Sequence, residues 1–195
     1  VFFDDYIDAL YVTVKGVPMT TNHGFIASYG VQNGKVSSTG KIFSPSVLAL
    51  PFGAALVPFT GGNVVVSDPS IGSALINLTP NSHQGSVVAV QNITGQSATC
   101  WATYSPTTRT VFLADGGLNR FVEVDGRSGA RLRTFNSTNG NPGNLDMVAK
   151  GKFLFALSPG AGAIAVIDIS GQKIRDVQNY KPTVESLNAM GMAAY

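Results

Sequence analysis

The chain has 195 residues, with 13 Lys+Arg against 11 Asp+Glu, a formal net charge of +2 and only 12% charged residues, about half the usual share. The length permits one substantial core or two small ones, and a balanced charge without a basic run excludes the electrostatic footprint of a nucleic-acid binder. Gly, Pro, Asn or Ser interrupts every apolar run well before the roughly 18 residues a membrane-spanning helix needs, so no membrane association is expected.

The apolar runs are short, rich in Val, Ile, Phe and Tyr, and bounded by turn residues, which is the strand signature. No window keeps a helical stripe free of Gly and Pro for three turns, so the chain reads as all-β. In chain order the first unit, about residues 1–48, holds the runs 1–3, 11–15, 24–29 and 35–38. The second, about 49–95, holds 52–57, 64–68, 73–77 and 86–90. The third, about 96–141, holds 98–104, 111–115, 120–124 and 131–135, and the fourth, about 142–182, holds 145–148, 154–158, 163–167 and 174–177. Within each unit the first run is rich in small residues and the last is the most polar.

The second run of every unit ends on one plan, an apolar stretch, a polar residue and then Gly or Pro: Lys15-Gly16, Asp68-Pro69, Asp115-Gly116 and Ser158-Pro159. The steps between these polar residues are 53, 47 and 43. Four antiparallel strands per period of that size form the blade of a β-propeller, with the small-residue strand innermost and the polar strand outermost. One further small-residue segment, 187–195, has the character of a closing innermost strand. Because residues 1–3 already supply an innermost strand, the expected ring is larger than four blades, and the expected partner is a set of preceding blades, on this chain's own protein or on a separate chain.

Two sets of loops then share the face where propellers bind ligands: those after Lys15, Asp68, Asp115 and Ser158, and those joining successive units. The candidate ligand contacts on that face are Lys15, His23, Asp68, Asp115, Arg120, Ser158 and Glu185. Asp ahead of Gly or Pro is also a favoured turn former, because its carboxylate accepts from the backbone just ahead, and this is the first reading of Asp68 and Asp115. His23 reads as an exposed loop residue, and His83 falls in a connection on the opposite face. Two distant histidines and the single Cys100 provide no metal-ligand spacing, so no metal is expected. Thr60-Gly61-Gly62-Asn63 reads as a hairpin turn without the lysine of a phosphate loop, and no Gly-x-Ser-x-Gly motif marks a serine hydrolase. Cys100, beside Trp101, reads as a buried free thiol. Sequons at Asn77, Asn92 and Asn136 are candidate N-glycosylation sites and suggest passage through a secretory route.

The phrases "LYVTVKGVP" at 10–18, "GFIASYGVQNGKVSS" at 24–38, "GQSATCWATYSPTTRTVFLAD" at 95–115 and "LNAMGMAAY" at 187–195 resemble fungal secreted 3-carboxymuconate cyclase-like proteins of the lactonase family. That resemblance implies a seven-bladed propeller of which this chain is about four blades, a signal peptide, N-glycans and a secreted or cell-wall location. It also implies lactone-forming or lactone-opening chemistry without a cofactor, carried by His, Arg and carboxylate groups around the central channel. The reading that follows is of a propeller that binds a small molecule, sugar or protein on its channel face, with a lactonase or carboxymuconate cycloisomerase as the alternative.

Overall fold

A computed structural model describes residues 1–5, 8–78, 85–141, 143–183 and 189–194. Its regular structure is a set of antiparallel meanders. The first sheet holds β1 (Phe2–Asp4), β2 (Ala9–Val14), β3 (Phe25–Gln32), β4 (Lys35–Val36) and β5 (Lys41–Phe43). The second holds β6 (Ala54–Leu56), β7 (Asn63–Asp68), β8 (Gly72–Leu78) and β9 (Gly85–Asn92). The third holds β10 (Thr99–Ser105), β11 (Thr110–Asp115), β12 (Arg120–Val124) and β13 (Arg131–Asn136). The fourth holds β14 (Asp146–Lys150), β15 (Phe153–Ser158), β16 (Ala163–Asp168) and β17 (Arg175–Tyr180). In the last three sheets spatial order follows chain order, and among the described residues every strand pair is antiparallel. Four antiparallel sheets thus follow one another along the chain.

The first sheet departs in its outer strand. The turn Asn33-Gly34 has both residues at positive φ, the geometry of a two-residue hairpin whose twist matches its strands. β4 then leaves after two residues, and the chain returns as β5 to pair with Ile26, Ala27 and Ser28. The outer edge of this blade is thus two short pieces instead of one continuous strand.

Burial explains the layering. β7 and β11 are buried at every position, while β9, β13 and β17 are exposed along most of their length. First strands lie against first strands of neighbouring sheets: β1 against β6, β6 against β10, and β10 against β14. Because successive side chains of a strand point to opposite faces, each central strand feeds two seams. Tyr11, Ile26, Val64, Val66 and Ile76 fill the first seam. Val65, Leu75, Leu113, Val122 and Val124 fill the second, and Phe112, Phe121, Met147, Leu154 and Ile167 fill the third. Full burial of each such side chain stabilises the fold by about 1.5–3 kcal/mol. In the third seam Phe135 stacks on Phe121 with centroids 5.2 Å apart and meets Phe112 edge-on at 6.3 Å.

Polar bonds stitch the blades where they approach most closely. A bulge between Thr99 and Trp101 leaves Cys100 out of the ladder, and its carbonyl accepts from Gly53 N at 2.8 Å and Ser67 Oγ at 2.7 Å of the preceding blade. At the rim, Arg133 donates to the carbonyls of Gly171 and Gln172, both at 3.0 Å. Buried Glu123 pairs with Arg133 and accepts from Thr110 Oγ1 at 2.6 Å.

Of the segment expected as a closing strand, 189–194 is described and holds no strand, while residues 187, 188 and 195 lie outside the described residues. Met192 N instead donates to Asp146 Oδ2 at 2.6 Å. A strand needs a neighbour with free ladder groups, and no strand of the four sheets pairs with this segment.

Candidate functional site

The β2–β3, β7–β8, β11–β12 and β15–β16 turns lie at one end of the sheets, together with the connections between successive sheets. Asp115, at the end of β11, is 2% exposed. Its carboxylate accepts from Ser97 N at 2.9 Å, Ala98 N at 2.8 Å, Gly117 N at 3.1 Å and the Arg120 guanidinium at 2.9 Å. Burial alone raises the pKa of such a group, but the three amides and Arg120 outweigh it and hold Asp115 below the ordinary carboxylate value. Asp68 repeats the arrangement in the preceding blade. It is fully buried and accepts from Leu50 N, Ser70 N and Ser70 Oγ at 2.8, 2.8 and 2.5 Å. Each carboxylate thus ties its own turn to the loop entering its own sheet.

Ser158 is the fourth-sheet counterpart. It is fully buried and donates to Asn144 Oδ1 at 2.8 Å, and a 3-10 turn over Pro159–Ala161 replaces the tighter turn. In the first sheet Lys15 is exposed, as is His23. Glu185 and His83 lie outside the described residues. The expected ring of polar residues therefore divides: Lys15 and His23 face solvent, while Asp68, Asp115 and Ser158 point their polar atoms into the protein.

Arg120 brings a second layer into view. Thr99, Asp115, Arg120 and Asn136 are successive cross-strand partners at the end of the third sheet, so they form one row. Arg120 spends one nitrogen on Asp115, and its Nε is buried without a partner. Thr99 Oγ1, on a residue 1% exposed, is also unpartnered, and so is Gln96 Oε1 in the loop whose next two amides hold Asp115. On the other side of the blade Asn119 Nδ2 donates to Asn139 Oδ1 at 2.9 Å, leaving Asn139 Nδ2 without a partner. Buried polar groups are paired in folded proteins by protein, water or ligand. At this blade end two donors, one acceptor and one hydroxyl thus have no protein partner among the described residues. Sequence reasoning found Arg120 but not Gln96, Thr99 or Asn139, because an amide or hydroxyl in a loop is unremarkable until its neighbours are known.

Asp146 was also missed. It opens the innermost strand β14, is 3% exposed, and burial pushes its pKa up despite bonds from Met192 N and the Met147 amide. The available signal was an acid inside a run otherwise made of small and apolar residues. On the adjacent innermost strand Cys100 is half-buried and not fully buried as expected, because the bulge lifts it out of the ladder; burial first and then the Asp115 charge push its thiol up, against the Gly116 amide. Two cavities open away from this face. One of about 1030 Å³ lies beside the broken outer edge of the first sheet, and one of about 380 Å³ is lined by Phe3, Leu56, Pro58 and Phe59 at the opposite end. No group of metal-ligating side chains occurs among the described residues.

No family model and no curated protein matches this chain. Solved structures do. The periplasmic gluconolactonase of Pseudomonas aeruginosa is similar at TM-score 0.72 and 15% identity, over 93% of this chain and 56% of its own. A candidate 6-phosphogluconolactonase of Bacteroides uniformis is similar at TM-score 0.72 and 14% identity, over 95% and 58%. Virginiamycin B lyase of Staphylococcus aureus follows at 0.64 and 13%, over 93% and 58%. With four antiparallel sheets arranged side by side, innermost strand against innermost strand, the chain is an arc of a β-propeller. It spans a little over half the length of these three solved structures.

Proposed function

We propose that this arc belongs to a secreted, glycosylated propeller of the lactonase kind, and that it binds a small hydroxyl-rich molecule at the end of its third blade. The observation that carries this reading is the set of unpartnered buried atoms Gln96 Oε1, Thr99 Oγ1 and Arg120 Nε beside Asp115. A ligand hydroxyl both donates and accepts, so sugar-like molecules match this mixture. Asp115 already neutralises Arg120, so the site does not call for an anion. Two of the similar structures are named for lactonases, which makes D-glucono-1,5-lactone the natural probe, with glucose beside it. Four blades at 56 to 58% of a neighbour's length scale to a ring of about seven. The half-buried Val148, Phe155, Ile164 and Val166 on the outward face of the fourth sheet offer a seam to a further blade.

Calorimetric titration of the lactone and of glucose tests the site. Arg120→Met and Thr99→Val are each expected to weaken binding at least tenfold, the loss of one to two charge-assisted or buried hydrogen bonds. His23→Ala is expected to leave it within twofold. Unchanged affinity in a folded Thr99→Val protein overturns the assignment.

Asp146 favours a second reading, a lactonase or carboxymuconate cycloisomerase whose site this arc shares with other blades. A carboxyl with a raised pKa is suited to protonate a leaving oxygen and to recover the proton afterwards. Turnover of D-glucono-1,5-lactone or 3-carboxymuconate by the whole protein, abolished in Asp146→Asn with binding intact, is the outcome this reading requires.

A further inference from the structure

We propose that Asn92 carries an N-linked glycan whose role is to cover the outer strand β9 and keep that edge from pairing with another strand. The proposal rests on the secretory reading above for its route and on the following geometry for its content.

Among the described residues β9 pairs only with β8, so one side of its backbone is a free sheet edge. A bulge opposite Leu75 and Ile76 brings Val87 and Val88 to the same side as Val90. These three are 38, 50 and 42% exposed. Natural edges are blunted with charge or proline. The other outer strands follow that rule, with Arg131 and Arg133 in β13, Arg175 and Asp176 in β17, and Lys35 and Lys41 in β4 and β5. β9, Gly-Ser-Val-Val-Ala-Val-Gln-Asn, has neither charge nor proline. Through Ile76 and Ala74, opposite Val87 and Val90, this face lies on the side of the first blade, whose outer strand is broken into β4 and β5.

The strand ends on the sequon Asn92-Ile93-Thr94. Asn92 and Thr94 are exposed, and Asn92 shares the face of Val90, with Val88 within about 14 Å at strand spacing. The other sequons differ. Asn136 ends β13 at the equivalent position, but beside charged residues. Asn77 is half-buried in the central strand β8, with Nδ2 donating to Asn63 Oδ1 at 2.9 Å. Transfer forms a bond from Asn92 Nδ2 to the anomeric carbon of the first sugar and breaks that carbon's bond to a lipid-pyrophosphate oligosaccharide donor. Lipid pyrophosphate leaves, and one amide proton is released.

The test is secretion of the protein from a glycosylating host, with glycopeptide mass spectrometry and light scattering on wild type, Asn92→Gln and Asn136→Gln. Asn92 is expected to be occupied. Asn92→Gln is expected to shift to larger species, Asn136→Gln to keep the wild-type size, and adding Val88→Lys and Val90→Lys to Asn92→Gln to restore it. An empty Asn92 in the secreted protein, or equal sizes for the two glutamine variants, overturns the proposal. Unglycosylated protein made in bacteria, with and without the two lysines, examines the edge alone: equal sizes there also overturn it. Finding the natural protein inside cells, with these results intact, overturns only the secretory reading.

Discussion

Asp115 and Asp146 are both nearly buried carboxylates at the same end of the molecule, and their surroundings shift them in opposite directions. Three amides and a guanidinium stabilise the charge on Asp115, whereas at Asp146 burial outweighs the two amides it meets. The consequence for stability follows from proton linkage. A carboxyl whose folded pKa is raised binds more protons folded than unfolded, so the fold loses stability as pH rises from the unfolded value of about 4 through the folded one. Asp146→Asn keeps an acceptor for Met192 N and removes the charge. The variant is expected to melt above wild type at pH 7, with the gap closing toward pH 3 in thermal unfolding. A variant that melts below wild type at both pH values contradicts this account. What the sequence disclosed at this scale was uneven. The turn role of Asp68 and Asp115 was readable because Asp before Pro or Gly has a local cause. The unpartnered atoms of Gln96 and Thr99, and the burial of Asp146, arise from residues distant in sequence and leave no local mark.

At the level of strands the sequence was far more open, because the period of apolar runs reflects a constraint repeated in every blade. What it concealed were departures from the repeat: the divided outer edge of the first sheet and the bulge at Cys100. The bulge makes one glycine indispensable. A Cβ on Gly53 would stand 2.7 Å from Ala102 N and from Trp101 Cα, and 2.9 Å from Cys100 O. All are backbone atoms and cannot swing aside. Gly53→Ala is expected to part β6 from β10, break the Gly53–Cys100 bond and cost about 3 kcal/mol, at the upper end of overpacking effects. Urea unfolding followed by the fluorescence of Trp101, the only tryptophan, measures it. A loss below about 0.5 kcal/mol would mean the two strands separate without strain.

Among the described residues, the main contacts between blades join neighbours, and all three cores lie in the seams between them. Stability in such an array is a sum of unit and nearest-neighbour contributions. The second and third blades have both faces covered, and β7 and β11 are buried throughout, whereas the fourth sheet has one covered face. Hydrogen exchange in the isolated arc is therefore expected to be slowest in β7 and β11 and at least tenfold faster in β15 and β16. Uniform protection across the four sheets would show a single cooperative unit.

The meander order of the sheets also bears on how the chain is made. Every strand of the last three sheets finds its ladder partners among its immediate neighbours in sequence, so loop closure within a blade is short and inexpensive. As the chain leaves the ribosome at about 5–20 residues per second, each set of four strands is complete within seconds, before the next set has emerged. A finished blade then offers an apolar face for its successor, and pulse proteolysis of stalled nascent chains is expected to show the first two sheets protected before the fourth has emerged.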